Sequence, residues 1–231
     1  MDSFDMEQFL ENYLTQIALL RKKITVKKHF DEAKQLALDI HSMTHSKVIS
    51  SFGENTFYDN LIDGLREDDY SAMPKASDET IAWHIWHIAR IEDIVANLLI
   101  AKTRQVFDDE WIKRMNTPVK DTGNAMTDAE IIGFSSEVVK PELLAYRNAV
   151  GSRTREIITT LAPGDIAHKA AAEDLARLLP SGCLTAQKDS IWLKDFWGRL
   201  TVGGMLCLPL TRHHMMHLPD SYAIKEYLQL Q

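Results

Sequence analysis

Between Ile81 and Leu98 the chain places Ile81, His84, Ile88, Ile91, Val95 and Leu98 at steps of three, four, three, four and three. That rhythm follows the 3.6-residue turn of an α-helix and leaves a long apolar stripe with one imidazole set into it. The same step recurs elsewhere. Met6, Leu10, Tyr13, Ile17 and Leu20 mark an opening helix over 4–22. Leu143, Tyr146, Val150, Ile157 and Leu161 mark another, which stops before Pro163-Gly164. Strict alternation over a strand length is hard to find, and 10 Gly with 7 Pro in 231 residues are too few for a loop-rich all-β chain. The periodicities therefore predict an all-α fold.

A basic run from Arg21 to His29, with five Lys/Arg, reads as a solvated turn into a second helix over 27–52. A short helix over 56–69 and a loop through Pro74 follow. Ser77 is the expected N-cap of the helix that carries His84, with Asp78 and Glu79 near its positive end. Residues 106–126 read as a loop-rich excursion, Thr127 to Glu130 has a capping-box pattern, and Pro141 suits a first helical turn. Short helices are expected near 170–179 and 189–197. A long one over 199–217, ended by Pro219, and a terminal helix over 221–230 complete the chain. Four long amphipathic helices with irregular connections argue for an up-and-down four-helix bundle with extra short helices in the connections. No linker or internal repeat divides the sequence. Residues 1–231 read as a single domain, with 1–26 as a helical extension to a bundle core of about 27–217.

The 33 acidic and 26 basic residues leave a net charge of −7, which argues against a nucleic-acid binder driven by phosphate attraction. The longest uncharged, largely apolar stretch, between Arg199 and Arg212, holds two glycines and a proline. It falls well short of the roughly 20 residues that span a bilayer. An acidic N-terminus is unlike a secretory signal. Cys183 and Cys207 offer neither a disulfide framework nor a CxxC pair, so a reduced, cytoplasmic setting is expected.

Nine histidines against two cysteines mean that a side-chain metal site must be built mainly from imidazole. His213 and His217 lie four apart, the spacing by which one helix offers two nitrogen ligands to one ion. His84 and His87 are three apart, and His41 and His45 four apart. Buried imidazoles without partners cost desolvation energy, so three inward clusters on three helices favour metal binding. No histidine has Glu three residues before it, as a di-iron carboxylate bundle requires. HExxH, GxSxG, GxGxxG and the phosphate-binding GxxxxGK[ST] are also missing. A mononuclear, histidine-rich site on facing helices remains.

The segment Thr80-Ile81-Ala82-Trp83-His84-Ile85-Trp86-His87-Ile88-Ala89-Arg90-Ile91-Glu92-Asp93 resembles the second-helix signature of the DinB/YfiT-like superfamily. Thr211-Arg212-His213-His214-Met215-Met216-His217 is similar to that superfamily's closing H-x-x-x-H. The resemblance implies a four-helix bundle holding one divalent ion, zinc or nickel, through three histidines. Carried over residue by residue, these are His87, His213 and His217. His84 competes with His87 because it falls on the apolar stripe, while the run Ile-Ala-Arg-Ile-Glu-Asp after His87 favours His87. His45 is a further candidate, as a fourth ligand or a partner of a ligand. Leu218-Pro219-Asp220 stands where Arg-Gly-Gln is commoner in the family.

Three imidazoles leave a coordination position open for water or a small thiol. The resemblance implies a metal-dependent hydrolase or a thiol S-transferase acting on a small molecule. The alternative is a non-catalytic metal-binding protein of the stress or damage-inducible kind. A haemerythrin-like oxygen or iron carrier is weakest, because no His is followed four residues later by Glu or Asp. Glu92 lies five residues beyond His87 and turned away from it. It reads as a surface charge or a ligand's partner, and neither it nor Asp93 is assigned a catalytic role. Trp83, Trp86 and the stretch from Trp192 to Trp197 could line a pocket. The partners expected are a small-molecule substrate or thiol, without nucleic acid or membrane; an exposed helix face would suit a homodimer.

Overall fold

In the computed structural model the described residues are 6–50 and 53–230. Twelve α-helices are formed among them: α1 (Met6–Lys23), α2 (Phe30–Thr44), α3 (Lys47–Ser50), α4 (Phe57–Ile62), α5 (Ile81–Asp93), α6 (Asp109–Met115), α7 (Asp128–Glu137), α8 (Lys140–Thr160), α9 (Ala172–Arg177), α10 (Lys188–Arg199), α11 (Val202–Cys207) and α12 (His214–Gln229). There is no strand among the described residues, only an isolated bridge between Lys169 and Thr201. The all-α expectation holds. Nor is any described helix long and apolar enough to cross a membrane.

Four helices enclose the centre, with α5 packed between α8 and α12 and α2 packed against the same two. Every residue of α5 is buried, which is how a helix hydrophobic nearly all round must be placed. It continues as a π-helical segment, Ile94–Ala101, and stops where Lys102 takes a left-handed conformation. α1 packs on α2 and α11, and its Tyr13, Ile17 and Leu20 join the same core as the bundle helices. The stripe read from its sequence is therefore the face it buries.

Several boundaries differ from expectation for local reasons. The cap of α5 is Thr80, whose hydroxyl accepts from Trp83 N (3.1 Å); Ser77 instead closes a turn on Glu79. The second helix, expected over 27–52, is divided into a 3₁₀ turn (Lys27–His29), α2 and α3, with residues 51–52 outside the described set. His45 is the extended residue at the end of α2, so the His41–His45 pair straddles a helix end. The excursion at 106–126 contains α6, capped by Asp108, which accepts from Glu110 N and Trp111 N. The capping box Thr127/Glu130 forms as read.

The largest correction concerns the last helix. A single helix over 199–217 does not form. Leu208 precedes Pro209, a position that disfavours the α conformation, and it adopts φ −131°, ψ −76°. The chain turns between Cys207 and His214 before α12 begins, and Pro219 lies inside α12 rather than ending it. An internal proline gives up one backbone bond at a cost of about 3 kcal/mol. Burial of Leu218, Ser221 and Ile224 around it offsets that loss.

Candidate metal centre

One face of α5 is fastened to the loop after α6. Trp83 Nε1 donates to Gly123 O (3.2 Å), Trp86 Nε1 to Asp121 O (3.1 Å), and Arg90 Nε to Lys120 O (3.0 Å). Residues 83, 86, 87 and 90 share that face by helical spacing. Gly123 is required there: it has φ +75°, and a Cβ would stand 2.8 Å from the Trp83 indole nitrogen. Within this seam His87 Nδ1 donates to Thr122 O at 2.7 Å. A carbonyl only accepts, so the ring carries its proton on Nδ1 and keeps the Nε2 lone pair free, the usual arrangement of a metal-ligating histidine. The His87 ring also stacks on Trp83, with centroids 4.6 Å apart and planes 10° apart.

His213 and His217 approach from the other side. His213 occupies the last turn before α12 with helical backbone angles, so the four-residue spacing still brings the two rings together although the helix is broken upstream. Their Nε2 atoms lie 3.2 Å apart. With metal–nitrogen bonds of about 2.0–2.1 Å, a tetrahedral ion spaces its ligands by about 3.3 Å. His87, His213 and His217 each offer a ligand atom within 4.8 Å of the other two. The three residues carried over from the family resemblance are thus brought to one point.

His84 does not join that group. Its Nδ1 lies 3.2 Å from His217 Nδ1, behind the ring whose Nε2 faces His213. With Nε2 of His217 turned to the site, its Nδ1–H donates to His84. Burial pushes His84 down to about 3 and His87 to about 4, and it pushes His213 and His217 well below the ordinary imidazole range. All four rings are neutral at pH 7, the protonation state that binds metal.

The group faces a cavity of about 510 Å³. Trp83, Trp192, Phe196, Trp197, Met126 and Met216 give it apolar walls, and Arg212, Asp78, Glu79 and Asp128 bring charge to it. His87 is buried while His213 and His217 are half-buried, so the donors sit in the wall of an accessible space. The tryptophan stretch does line a pocket. Trp86 does not: it packs inward against Phe107, Phe134 and Tyr146.

The surface reading of Glu92 is corrected, because its side chain has no exposure at all. Its Oε1 lies 2.8 Å from His41 Nε2, and its Oε2 lies 3.0 Å from His45 Nε2 and 3.2 Å from His214 Nε2. Burial opposes its ionisation, but the imidazoles of His45 and His41 hold the carboxyl well below the usual range, so Glu92 is an anion. His45 therefore belongs to this second cluster, not beside His87, His213 and His217. Sequence reasoning missed the cluster. The available signal was Glu92 itself, seven residues after Ile85 and four after Ile88, a carboxylate on an apolar face. Asp93 is equally buried and accepts from Val106 N, Phe107 N, Asn97 Nδ2 and Tyr146 Oη, which moors the chain after the π segment. Cys183 and Cys207 are both free and buried.

Among curated proteins none matches the chain. The sequence profile of the DinB superfamily matches residues 58–218, a span that includes His84, His87, the loop that holds His87 and His213 to His217. With well over half of its length in that match, the chain belongs to the DinB superfamily.

Proposed function

We propose that the protein is a divalent-metal-dependent enzyme acting on a small molecule with an apolar or aromatic part. His87, His213 and His217 hold one ion, zinc or nickel. The observation that carries this reading is the placement of three neutral imidazoles in the wall of a 510 Å³ cavity, with two of the three partly exposed to it. A closed structural site would instead complete its coordination with protein and shut out solvent. An ion at this position supplies Lewis acidity toward a bound water or a small thiol, which corresponds to hydrolase or thiol S-transferase chemistry.

The chain's own groups support that role. Thr122 O and His84 orient His87 and His217 from behind. Trp83, Trp192, Phe196 and Trp197 exclude water from one side of the cavity and offer flat faces to an apolar substrate. Arg212 is the cation available to an anionic substrate group. Partial burial, then the neighbouring Asp78, Asp220 and Asp128, push the Glu79 carboxyl at this cavity above its ordinary value, the direction that suits a group giving or taking a proton.

Titrating cobalt-loaded protein with a small thiol tests the reading. A thiolate-to-cobalt absorption band that saturates, and that His213→Ala abolishes, is the expected result. Metal bound by these residues without any response to thiols, imidazole or other small ligands would instead assign the chain a non-catalytic metal-binding role.

A further inference from the structure

The cluster around Glu92 shares no ligand with the cavity and lies wholly inside the bundle. His41, His45, Glu92 and His214 have no exposure, and they come from α2, its C-terminal cap, α5 and α12. His45 Nε2, His214 Nε2 and Glu92 Oε2 are buried and make no hydrogen bond, yet they lie 3.0 and 3.2 Å apart across the carboxylate oxygen. Misaligned contacts at these distances are what atoms aimed at a common point produce. They come within about 0.3 Å of the edges, about 3.3 Å, of a tetrahedral ion with ligand bonds of about 2.0 Å.

The protons can be placed on one side of the cluster. Thr44 Oγ1 donates to His41 O (3.2 Å), so it accepts from His214 Nδ1, 3.1 Å away. With that proton on Nδ1, His214 turns Nε2 to the Glu92 carboxylate at 3.2 Å without a hydrogen bond between them, as two atoms sharing one ion would stand. His41, His45 and Glu92 each have a ligand atom within 4.8 Å of the other two. Space has also been cleared for His45: on α8, a Cβ at Gly151 would stand 2.6 Å from its Nδ1.

We propose that His41, His45 and Glu92, completed by His214, form a second and closed site for a divalent transition ion, which clips α2, α5 and α12 together. Imidazole nitrogens with one carboxylate oxygen suit zinc and its first-row neighbours rather than magnesium or calcium. Complete burial makes the site structural, in contrast to the one at the cavity. The competing neutraliser of Glu92 is Arg147, a buried guanidinium whose Nη2 donates to Thr44 O at 2.8 Å.

Full-length protein stripped by a chelator and titrated with Zn²⁺ decides between them, with bound metal counted by mass spectrometry after gel filtration. The expected result is two ions per chain, falling to one in Glu92→Gln and to one in a His213→Ala/His217→Ala double variant. Two ions retained by Glu92→Gln, or one ion that this variant leaves in place, would overturn the proposal and leave Arg147 as the counter-charge. One ion that Glu92→Gln abolishes upholds the second site and removes the ion from the cavity, so the two readings fail separately. No bound ion overturns both. Should Glu92→Gln not fold, anomalous scattering at the zinc edge from wild-type crystals gives the answer. A peak within about 2.2 Å of Glu92 Oε2 supports the site, and zinc-loaded crystals without one refute it.

Discussion

His213 and His214 are consecutive in the chain, yet they serve opposite environments. His213 borders a 510 Å³ cavity with His87 and His217, while His214 is sealed inside the bundle with His41, His45 and Glu92. The residue types are nearly the same; the difference lies in access and charge. The outer group has three neutral imidazoles and no carboxylate among its donors, so an ion there keeps its full charge and an open face toward a substrate. The inner group has a carboxylate at its centre and no contact with solvent, so an ion there would have half of its charge offset and would be inaccessible. One residue step at the start of α12 separates the group at the cavity from the group inside the bundle.

Acid exposes what the two clusters share. Burial pushes His84 to about 3 and both His87 and His214 to about 4, whereas imidazoles in the unfolded chain titrate near 6.5. Below pH 6.5 the unfolded state binds protons that the folded state refuses, so metal-free protein loses stability as pH falls toward 4. Each such ring contributes roughly 1.4 kcal/mol per pH unit in that window. Chelator-treated protein should therefore show a steep fall in urea midpoint between pH 6.5 and 4.5. A flat profile would mean that these rings are not buried neutral. Next in size is Glu92→Ala, which strips three enclosed imidazoles and the buried Arg147 of their anion. Removing one member of a buried charged network costs about 3–5 kcal/mol. In a chain of this length that corresponds to a Tm lower by roughly 10 °C in calorimetry. An unchanged Tm would place Glu92 among ordinary polar residues.

The two groups also differed in how legible they were. The apolar spacing of α5 and the His213/His217 interval depend on local geometry alone, which survives even though Pro209 breaks the helix upstream and Pro219 does not end it. The meeting of the His213 and His217 rings could therefore be read from the chain. Choosing His87 over His84 needed the family pattern, because the deciding contact, His87 Nδ1 on Thr122 O, joins segments 35 residues apart. The inner cluster was not legible. Its members are separated by 51 residues between His41 and Glu92, and they meet only through the packing of α2, α5 and α12. Glu92 read as a surface charge because sequence position says nothing of what stands opposite a side chain.

Gly151 offers a way to disturb the inner cluster alone. A methyl group there would meet Ile49 Cδ1 at 2.4 Å and the His45 ring at 2.6 Å. Gly151→Ala should cost about 1–3 kcal/mol through this overpacking. Metal bound at the cavity should be unaffected, as cobalt absorption with and without a thiol would report. Loss of the cavity signal would mean that the two clusters are mechanically one.

The smallest effect belongs to His84, and it sharpens the distinction between a ligand and the group that aims a ligand. His217 Nδ1 faces His84 Nδ1 at 3.2 Å while its Nε2 faces His213, so His84 accepts the proton that fixes the His217 tautomer. Replacing it by phenylalanine keeps an aromatic ring but deletes the acceptor. Losing such an outer partner typically weakens metal affinity 10–100-fold, so the cavity ion should bind about tenfold more weakly or worse in a competitive chelator titration. Asparagine, whose side-chain oxygen can accept in place of Nδ1, should recover most of the loss. A His84 that only filled space would show the reverse order, with phenylalanine tolerated and asparagine damaging. If His84 were itself a ligand, both variants would fail to the same extent as His213→Ala.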